Sequence, residues 1–209
     1  MEQEFWRARW DEGRIGFHEG EVNRYLETWW PRIVAAADSR VLVPLCGKAV
    51  DLLWLRERGH RVVGVEFAAA AVEAFEAEHG QRDGLHLLQA DFLALQPSEL
   101  AAAGGGPPQA WYDRAAMVAL PPEMRALYVD RLHALLPSDA RGLLVTFAYP
   151  QEEKQGPPFS VEADEVRERY AAGFEIELLA DVDRLGAEPR HREAGLTRLH
   201  EQVWRLRRR

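Results

Sequence analysis

Two short stretches, residues 40–55 and 59–66, carry the residue types and spacing best suited to ligand chemistry. The first is patterned as a strand, a tight turn with one glycine, Gly47, and a helix, and the second as a strand that ends in the carboxylate of Glu66. In a doubly wound sheet, an acidic residue at the end of the second strand, roughly 20 residues past the first turn, hydrogen-bonds the hydroxyls of an adenosine ribose. The spacing therefore predicts a cofactor that contains adenosine.

The turn after the first strand, Leu45-Cys46-Gly47-Lys48, indicates which adenosine cofactor fits. A dinucleotide site needs several glycines, because the backbone must close on a pyrophosphate and aim a helix N-terminus at it. One glycine fits a phosphate-free nucleoside better. S-adenosylmethionine is such a ligand, with a small zwitterionic amino-acid end and a sulfonium. The pattern therefore favours a methyltransferase over a nicotinamide-dependent dehydrogenase.

Length and charge limit the remaining classes. A chain of 209 residues is long enough for one α/β domain with a full core. Its formal net charge of -8 disfavours nucleic acid and anionic membrane surfaces as main partners, and it favours a small-molecule substrate. The basic run at residues 205–209 is interpreted as a solvated chain end.

The cysteine count and the apolar segments indicate the cellular context. The single cysteine, Cys46, excludes an intrachain disulfide, and the first residues show no basic segment followed by an apolar one. No apolar run approaches the roughly 20 residues that a membrane span requires. We expect a cytoplasmic monomer with no membrane partner.

The first forty residues carry a dense load of aromatic side chains: Trp6, Trp10, Phe17, Trp29 and Trp30. One interpretation is an amphipathic helix docked on the sheet. The other is that Trp6 and Trp10, four residues apart on one helical face, line a ligand pocket. A sulfonium beside aromatic faces gains about 0.5–2 kcal/mol from the ring quadrupole. The residues alone leave both interpretations open.

Hydrophobic patterning predicts a mixed sheet of about seven strands. The third strand ends at Ala90 and Asp91, which offer a backbone amide and a carboxylate to the adenine side of a nucleoside, or form an ordinary turn. Residues 101–108 are predicted to be a mobile surface loop. The predicted strands are 41–45, 61–65, 85–89, 110–113, 142–149, 174–179 and 200–206, and the predicted helices are 50–58, 68–78, 121–136 and 163–170.

Several motifs lie between residue 5 and about residue 166. They are Phe5-Trp6 to Trp10, Gly16-Phe17-His18, Val43-Pro44-Leu45-Cys46-Gly47-Lys48 with Asp51, Gly59-His60 to Gly64-Val65-Glu66, Tyr112-Asp113-Arg114-Ala115-Ala116, Ala119-Leu120-Pro121 and Gly156-Pro157-Pro158-Phe159. In these motifs the chain resembles the thiopurine S-methyltransferases, most closely the bacterial members. This resemblance implies a single Rossmann-like class I methyltransferase domain over residues 1–209, an α/β fold with a mostly parallel seven-stranded sheet and helices on both faces, with an N-terminal helical lid at 1–38 and a core at 39–209. It also implies S-adenosylmethionine as cofactor and aromatic or heterocyclic thiols, such as thiopurines, as methyl acceptors.

The resemblance also implies where the cofactor is held. Trp6 and Trp10 fall where the N-terminal segment of the family closes over the cofactor, and Leu45 and Gly47 fall in the turn beneath its methionyl part. Glu66 falls on the ribose position. The full set of implied cofactor contacts is Trp6, Trp10, Leu45, Gly47, Glu66, Ala90, Asp91 and Arg114.

On the acceptor side, the resemblance places Arg114 between cofactor and substrate and Phe17 beside the substrate. A guanidinium that stays charged favours an anionic acceptor, so Arg114 is predicted to be the catalytic residue. The alternative is a structural ion pair with a strand-end carboxylate such as Asp113. His18 is either a proton acceptor near the substrate or a histidine that packs or caps a helix. We expect no metal.

Two wider alternatives remain for the function. The first alternative to a thiol methyltransferase is a related enzyme that methylates halide, sulfide or selenium and tellurium compounds, because the cofactor half of the chain does not define the acceptor. A non-catalytic nucleoside-binding protein is the second alternative. The intact Arg114 and the tryptophan-rich N-terminal segment argue for turnover.

Overall fold

A computed structural model describes residues 3–16, 18–186, 192–193 and 195–209. Its strands are β1 (Arg40–Pro44), β2 (Arg61–Glu66), β3 (Leu85–Gln89), β4 (Ala110–Arg114), β5 (Arg141–Ala148), β6 (Phe174–Asp183) and β7 (His200–Arg208). Its helices are α1 (Gln3–Asp11), α2 (Arg24–Ile33), α3 (Asp51–Glu57), α4 (Ala69–His79), α5 (Pro97–Gly104), α6 (Ala116–Ala119), α7 (Pro122–Leu135) and α8 (Ala163–Tyr170), with a short 3₁₀ turn at Gln151–Glu153.

The seven strands form one sheet in the order β3-β2-β1-β4-β5-β7-β6. β1 to β5 run parallel, and β7 lies antiparallel between β5 and β6. This arrangement confirms the predicted mostly parallel seven-stranded α/β sheet.

Two hydrophobic clusters bury the two faces of the sheet. One contains Leu26 and Trp30 of α2, and the other contains Tyr128 and Leu132 of α7. Since helices cover both faces, the central strands carry continuous apolar runs instead of alternating ones, and Val41, Leu42 and Val43 of β1 are all buried.

One edge of the sheet gathers chain segments that are far apart in sequence. The carboxyl ends of β1, β2, β4 and β5 meet there because these strands are parallel. β7 runs the other way, so its first residue, His200, pairs with Ala148 at the end of β5 and with Asp183 at the end of β6. The acidic and basic residues at these six strand ends therefore lie along one edge of the sheet.

The prediction of a mobile loop at residues 101–108 was wrong for its first half, which belongs to α5. The helix begins with a capping box, in which Gln96 and Glu99 satisfy each other's backbone amides, and with Pro97 in its first turn. Leu100 is buried and anchors it. Beyond the helix, Arg40 Nε donates to the carbonyl of Pro107 at 2.7 Å, which ties the remaining loop to β1.

Within the described residues, no helix combines the length and the apolarity that crossing a bilayer would require.

Candidate active site

A cavity of about 790 Å³ opens at the carboxyl edge of the sheet. This volume suits a small ligand or a pair of them. The wall follows the strand order: Leu45 and Glu66 come from the β1 and β2 ends, Arg114 comes from β4, and Phe147 and Glu201 come from β5 and β7. Ligands that lie side by side along this edge would therefore meet near Arg114.

The turn after β1 is held in an unusual backbone conformation. Leu45 has φ +47° and Gly47 has φ +52°, and the amide of Cys46 donates to the carbonyl of Val65 at 3.1 Å. A leucine in the left-handed region costs on the order of 1–2 kcal/mol, which the surrounding structure must offset. In this conformation, Leu45 and Gly47 of the turn lie at the cavity wall.

Trp10 lies directly over this turn. A Cβ built on Gly47 would come within 3.0 Å of Trp10 Cζ2, so any other residue there would push the indole away. Trp6 also lines the cavity, and Arg7 stacks over Phe67 with 5.7 Å to the ring centroid. The N-terminal helix therefore forms part of the cavity wall, an aromatic cradle that suits a sulfonium and its methionyl end.

The carboxylate of Glu66 joins the β1 turn to the end of β2. Its Oε2 accepts from the amide of Gly47 and its Oε1 from the amide of Ala68, each at 2.9 Å. Burial raises the pKa of the Glu66 carboxyl, and the backbone donors oppose that rise. Each oxygen keeps a second acceptor site, so the side chain can also receive hydrogen bonds from ribose hydroxyls at the cavity wall.

We expect the change Trp10→Leu to weaken binding of S-adenosylmethionine about 10-fold, because it removes the indole face from the β1 turn. Calorimetry measures the affinity, and tryptophan emission on adding the cofactor gives a second readout. Trp29→Leu is the matched control, since Trp29 lies outside the cavity wall. Equal affinity of the Trp10 variant and the native protein would remove Trp10 from the binding site.

Arg114 ends β4 and projects into the cavity wall, where its guanidinium pairs with Glu19. The alternative of a pair with Asp113 was wrong. The Asp113 carboxylate is fully buried and accepts instead from the hydroxyl of Tyr128 at 2.6 Å and the amide of Ala116 at 3.1 Å. These bonds fix the turn after β4, in which Ala115 has φ +81°, and so they hold the backbone of Arg114 in place.

Burial raises the pKa of the Asp113 carboxyl from 3.8 to about 6, against the opposing hydrogen bond from Tyr128. The raised value means that the folded protein binds this proton more tightly than the unfolded chain does. The group therefore adds stability, about 3 kcal/mol from a shift of roughly two units, that is fully present below the unfolded pKa and is lost as the pH rises through the folded one.

We expect the variant Asp113→Asn to lose this part of the pH dependence. Denaturant unfolding of both proteins should be measured between about pH 4 and pH 8. As the pH falls, the unfolding free energy of the native protein should rise relative to that of the variant. Asp130→Asn, on the exposed side of α7, is the control. A constant difference across the range would contradict the assignment.

The remaining predicted site residues differ in whether they line the cavity. His18 lines the cavity, and burial followed by the charge of Lys48 lowers its pKa, which favours the neutral, proton-accepting form. Phe17 lies outside the described residues. Ala90 and Asp91 are not part of the cavity wall: the Ala90 amide donates to the carbonyl of Glu66 at 3.0 Å, and Asp91 Oδ1 accepts from the Leu93 amide at 2.9 Å. Their contact with adenine stays a prediction.

Sequence reasoning missed the wall at the other end of the cavity. There Glu201 accepts from the hydroxyl of Tyr25 at 2.9 Å and pairs with Arg24 and Arg184. The start of α2, which lies beside Glu201, is fixed by Asp51, whose Oδ1 accepts from the Asn23 amide at 2.8 Å. Tyr25 and Glu201 lie 176 residues apart, and only the antiparallel pairing of β7 brings them together.

No group of three or more His, Cys, Asp or Glu side chains suited to a metal was found among the residues that the structure describes. That no metal takes part in the reaction stays a prediction.

The fold, with its cavity at the carboxyl edge of the sheet, is that of the class I S-adenosylmethionine-dependent methyltransferases. The chain superposes on a methyltransferase from Anabaena variabilis with a TM-score of 0.71 and 15% identity, over 99% of this chain and 94% of that one. It also superposes on the 1,6-didemethyltoxoflavin-N1-methyltransferase of Burkholderia thailandensis, which was solved with S-adenosylhomocysteine, with a TM-score of 0.68 and 18% identity. That match covers 98% of this chain and 86% of the other.

The chain belongs to the thiopurine S-methyltransferase family, which it matches over residues 1–209. It is 47% identical to the thiopurine S-methyltransferase of Pseudomonas paraeruginosa, over 100% of both chains. It is 44% identical to that of Nitrosospira multiformis, over 99% of this chain and 98% of the relative. These findings confirm the resemblance: the protein is an S-adenosylmethionine-dependent S-methyltransferase.

Proposed function

We propose that the enzyme methylates the sulfur of aromatic and heterocyclic thiols, thiopurines among them. The observation that carries this proposal is the position of Arg114, between the Trp10 and Glu66 end of the cavity and an apolar wall that includes Val118 and Phe147. A flat aromatic acceptor would lie on that wall with its sulfur toward Arg114. The names of the relatives in Pseudomonas and Nitrosospira support the same acceptor class.

The residues at the cofactor end would hold S-adenosylmethionine, which supplies an activated methyl group. Glu66 would accept from the ribose hydroxyls, the backbone of Leu45 and Gly47 would hold the methionyl part, and the indole of Trp10 would cover it. Holding the methyl carbon and the acceptor sulfur in line is the main source of rate, because such positioning supplies roughly 7–11 kcal/mol.

Arg114 would favour the anionic form of the acceptor. A thiol reacts as its thiolate, and a guanidinium stays charged and orients hydrogen bonds toward an anion. As the acceptor sulfur bonds the methyl carbon, the bond from that carbon to the sulfonium sulfur would break. The thiolate would thereby lose its charge and the leaving group would be a neutral thioether, so no acid is needed. The acceptor's proton goes to solvent or to His18, whose lowered pKa suits a proton acceptor.

The test is turnover with a panel of acceptors, detected as S-adenosylhomocysteine by mass spectrometry. The panel contains 6-mercaptopurine, thiophenol, sulfide, iodide and selenite, with 6-methylmercaptopurine as a control whose sulfur is already methylated. Turnover of the two aromatic thiols supports the proposal. Turnover of sulfide, iodide or selenite alone would overturn it in favour of a related methyltransferase.

The Ala90 and Asp91 contacts, the division into a lid at 1–38 and a core at 39–209, the monomeric state and the cytoplasmic location stay predictions.

A further inference from the structure

The ion pair between Arg114 and Glu19 places two opposite hydrogen-bonding groups side by side at the cavity wall. The side chain of Arg114 is mostly buried, whereas that of Glu19 is more than half exposed. The proposed function gives Arg114 a role toward the acceptor sulfur and leaves Glu19 without one. An acceptor whose sulfur meets Arg114 therefore lies beside this carboxylate as well.

A single buried carboxylate, Asp51, holds the two elements that carry Arg114 and Glu19. Its Oδ1 accepts from the amide of Asn23 at 2.8 Å, at the end of the segment between α1 and α2 that includes Glu19. Its Oδ2 accepts from the hydroxyl of Tyr112 at 3.1 Å, two residues before Arg114 on β4. The ion pair is therefore built between anchored pieces of backbone, so both groups keep their places at the wall.

The ion pair leaves hydrogen-bonding capacity on both of its members. A guanidinium has five N–H donors, and the pair is formed through Nη2 of Arg114. A carboxylate has about four lone-pair sites, and the pair is formed through Oε1 of Glu19. Together the two side chains offer a ligand a donor and, next to it, an acceptor.

We propose that this donor–acceptor pair recognises a heterocyclic thione, in which a ring N–H stands next to the carbon of the C=S group. This inference rests on the proposed function and narrows the acceptor class from aromatic thiols in general to heterocycles with an adjacent N–H. Arg114 donates to the sulfur, and Glu19 accepts from the ring N–H. Two parallel hydrogen bonds of opposite polarity also set the orientation of a flat ring by its edge.

The hydrogen bond to Glu19 also prepares the sulfur for the reaction. A carboxylate beside the ring N–H shifts electron density of the N–C=S group toward the sulfur, where the guanidinium of Arg114 stabilises it. As the sulfur bonds the methyl carbon, the bond from that carbon to the sulfonium sulfur breaks, which leaves a neutral thioether. The S-methyl heterocycle keeps its proton on the ring nitrogen at first, and then releases it to solvent.

The contrasting role for Glu19 is to neutralise Arg114 and nothing more. Loss of such a partner changes the charge that every acceptor meets, so all acceptors are affected alike. Loss of a hydrogen bond to a ring N–H affects only the acceptors in which that N–H lies beside the sulfur. Acceptors that differ only in the position of the N–H therefore separate the two roles.

The experiment measures kcat and KM for 2-mercaptopyridine, whose thione form has its N–H beside the sulfur, and for 4-mercaptopyridine, whose N–H lies across the ring. The quantity compared is the ratio of kcat/KM for the 2-isomer to that for the 4-isomer. In Glu19→Met this ratio should fall about 10- to 100-fold, the range for one hydrogen bond to a charged group, mainly through the KM of the 2-isomer. Glu19→Gln keeps an acceptor oxygen and should retain the ratio within about threefold.

Glu21→Met is the matched control. Glu21 is an exposed carboxylate of the same segment at the same cavity wall, while the ion pair of Arg114 within the described residues is with Glu19. The control should leave the ratio at its native value. Equal losses for both isomers in Glu19→Met would overturn the inference, because Glu19 would then act only through the charge of Arg114.

A binding measurement decides the inference without turnover. Calorimetry on the protein loaded with S-adenosylhomocysteine compares pyridine-2-thione, the thione form of 2-mercaptopyridine, with 1-methylpyridine-2-thione, which lacks the N–H. The first should bind about 10- to 100-fold more tightly to the native protein, and this difference should shrink at least about fivefold in Glu19→Met. Equal affinities in the native protein, or the same difference in both proteins, would overturn the inference. Absence of turnover with every thiol would instead overturn the proposed function.

Discussion

Replacing Arg114 by alanine is expected to lower kcat/KM for an aromatic thiol by about 100- to 1000-fold, the range for loss of one preorganised electrostatic group at a reacting centre. The guanidinium is the only cation that β4 contributes to the cavity wall among the described residues, and it lies between the cofactor end and the apolar wall. Steady-state kinetics with 6-mercaptopurine measure the loss. Calorimetry with S-adenosylhomocysteine is expected to show a much smaller loss of cofactor affinity, because Arg114 is one of several implied cofactor contacts.

Two variants distinguish the roles that Arg114 can have. Arg114→Lys keeps the charge but loses the planar fork, and should recover part of the lost activity. Glu19→Gln removes the ion-pair partner and leaves the arginine, so activity should stay within a few-fold of native. If Arg114→Ala turns over as fast as the native enzyme with the same cofactor affinity, Arg114 does not lie between the two ligands.

Replacing Glu66 by alanine is expected to weaken S-adenosylmethionine binding about 100-fold or more, because hydrogen bonds to a charged group contribute about 1.5–3 kcal/mol each. The change removes the contact to the ribose hydroxyls. It also releases the amides of Gly47 and Ala68, which then no longer hold the β1 turn in shape. Calorimetry measures the affinity directly.

Glu73→Ala is the control for this change, because Glu73 is an exposed glutamate on the helix that follows β2. Thermal unfolding separates the two consequences of losing Glu66. A large loss of affinity with a small change of Tm supports the ribose contact. Unchanged affinity would mean that Glu66 serves the turn alone.

The sheet could be predicted from the sequence because its central strands are buried on both faces and carry unbroken apolar runs. Residues 101–108 were predicted to be a loop because their glycines and prolines were given more weight than the signature of a helix start before them. The capping signature Gln96-Pro97-Ser98-Glu99 was present just before, with Leu100 as an anchor, and it would have identified α5. A helix this short is decided by its cap and one buried side chain.

The candidate site was predictable only where one segment determines it. The turn at Leu45 and Gly47 and the acid Glu66 lie on consecutive strands, so their spacing carried the information. The pair between Glu19 and Arg114 and the cluster around Glu201 join segments far apart along the chain. Such contacts depend on strand order and on the reversed direction of β7, which no local pattern records.

Among the described residues, helix α1 contacts the rest of the protein by packing on α4, with Trp10 over Gly47 and Arg7 over Phe67. None of its side chains at residues 4–11 is fully buried. Its undocking leaves both hydrophobic clusters intact and therefore costs much less than global unfolding. The amide hydrogens of α1 should exchange with solvent by local opening, and those of β1 only on global unfolding. We therefore expect a spent nucleoside to leave without disturbing the sheet, and α1 to set how long the product resides.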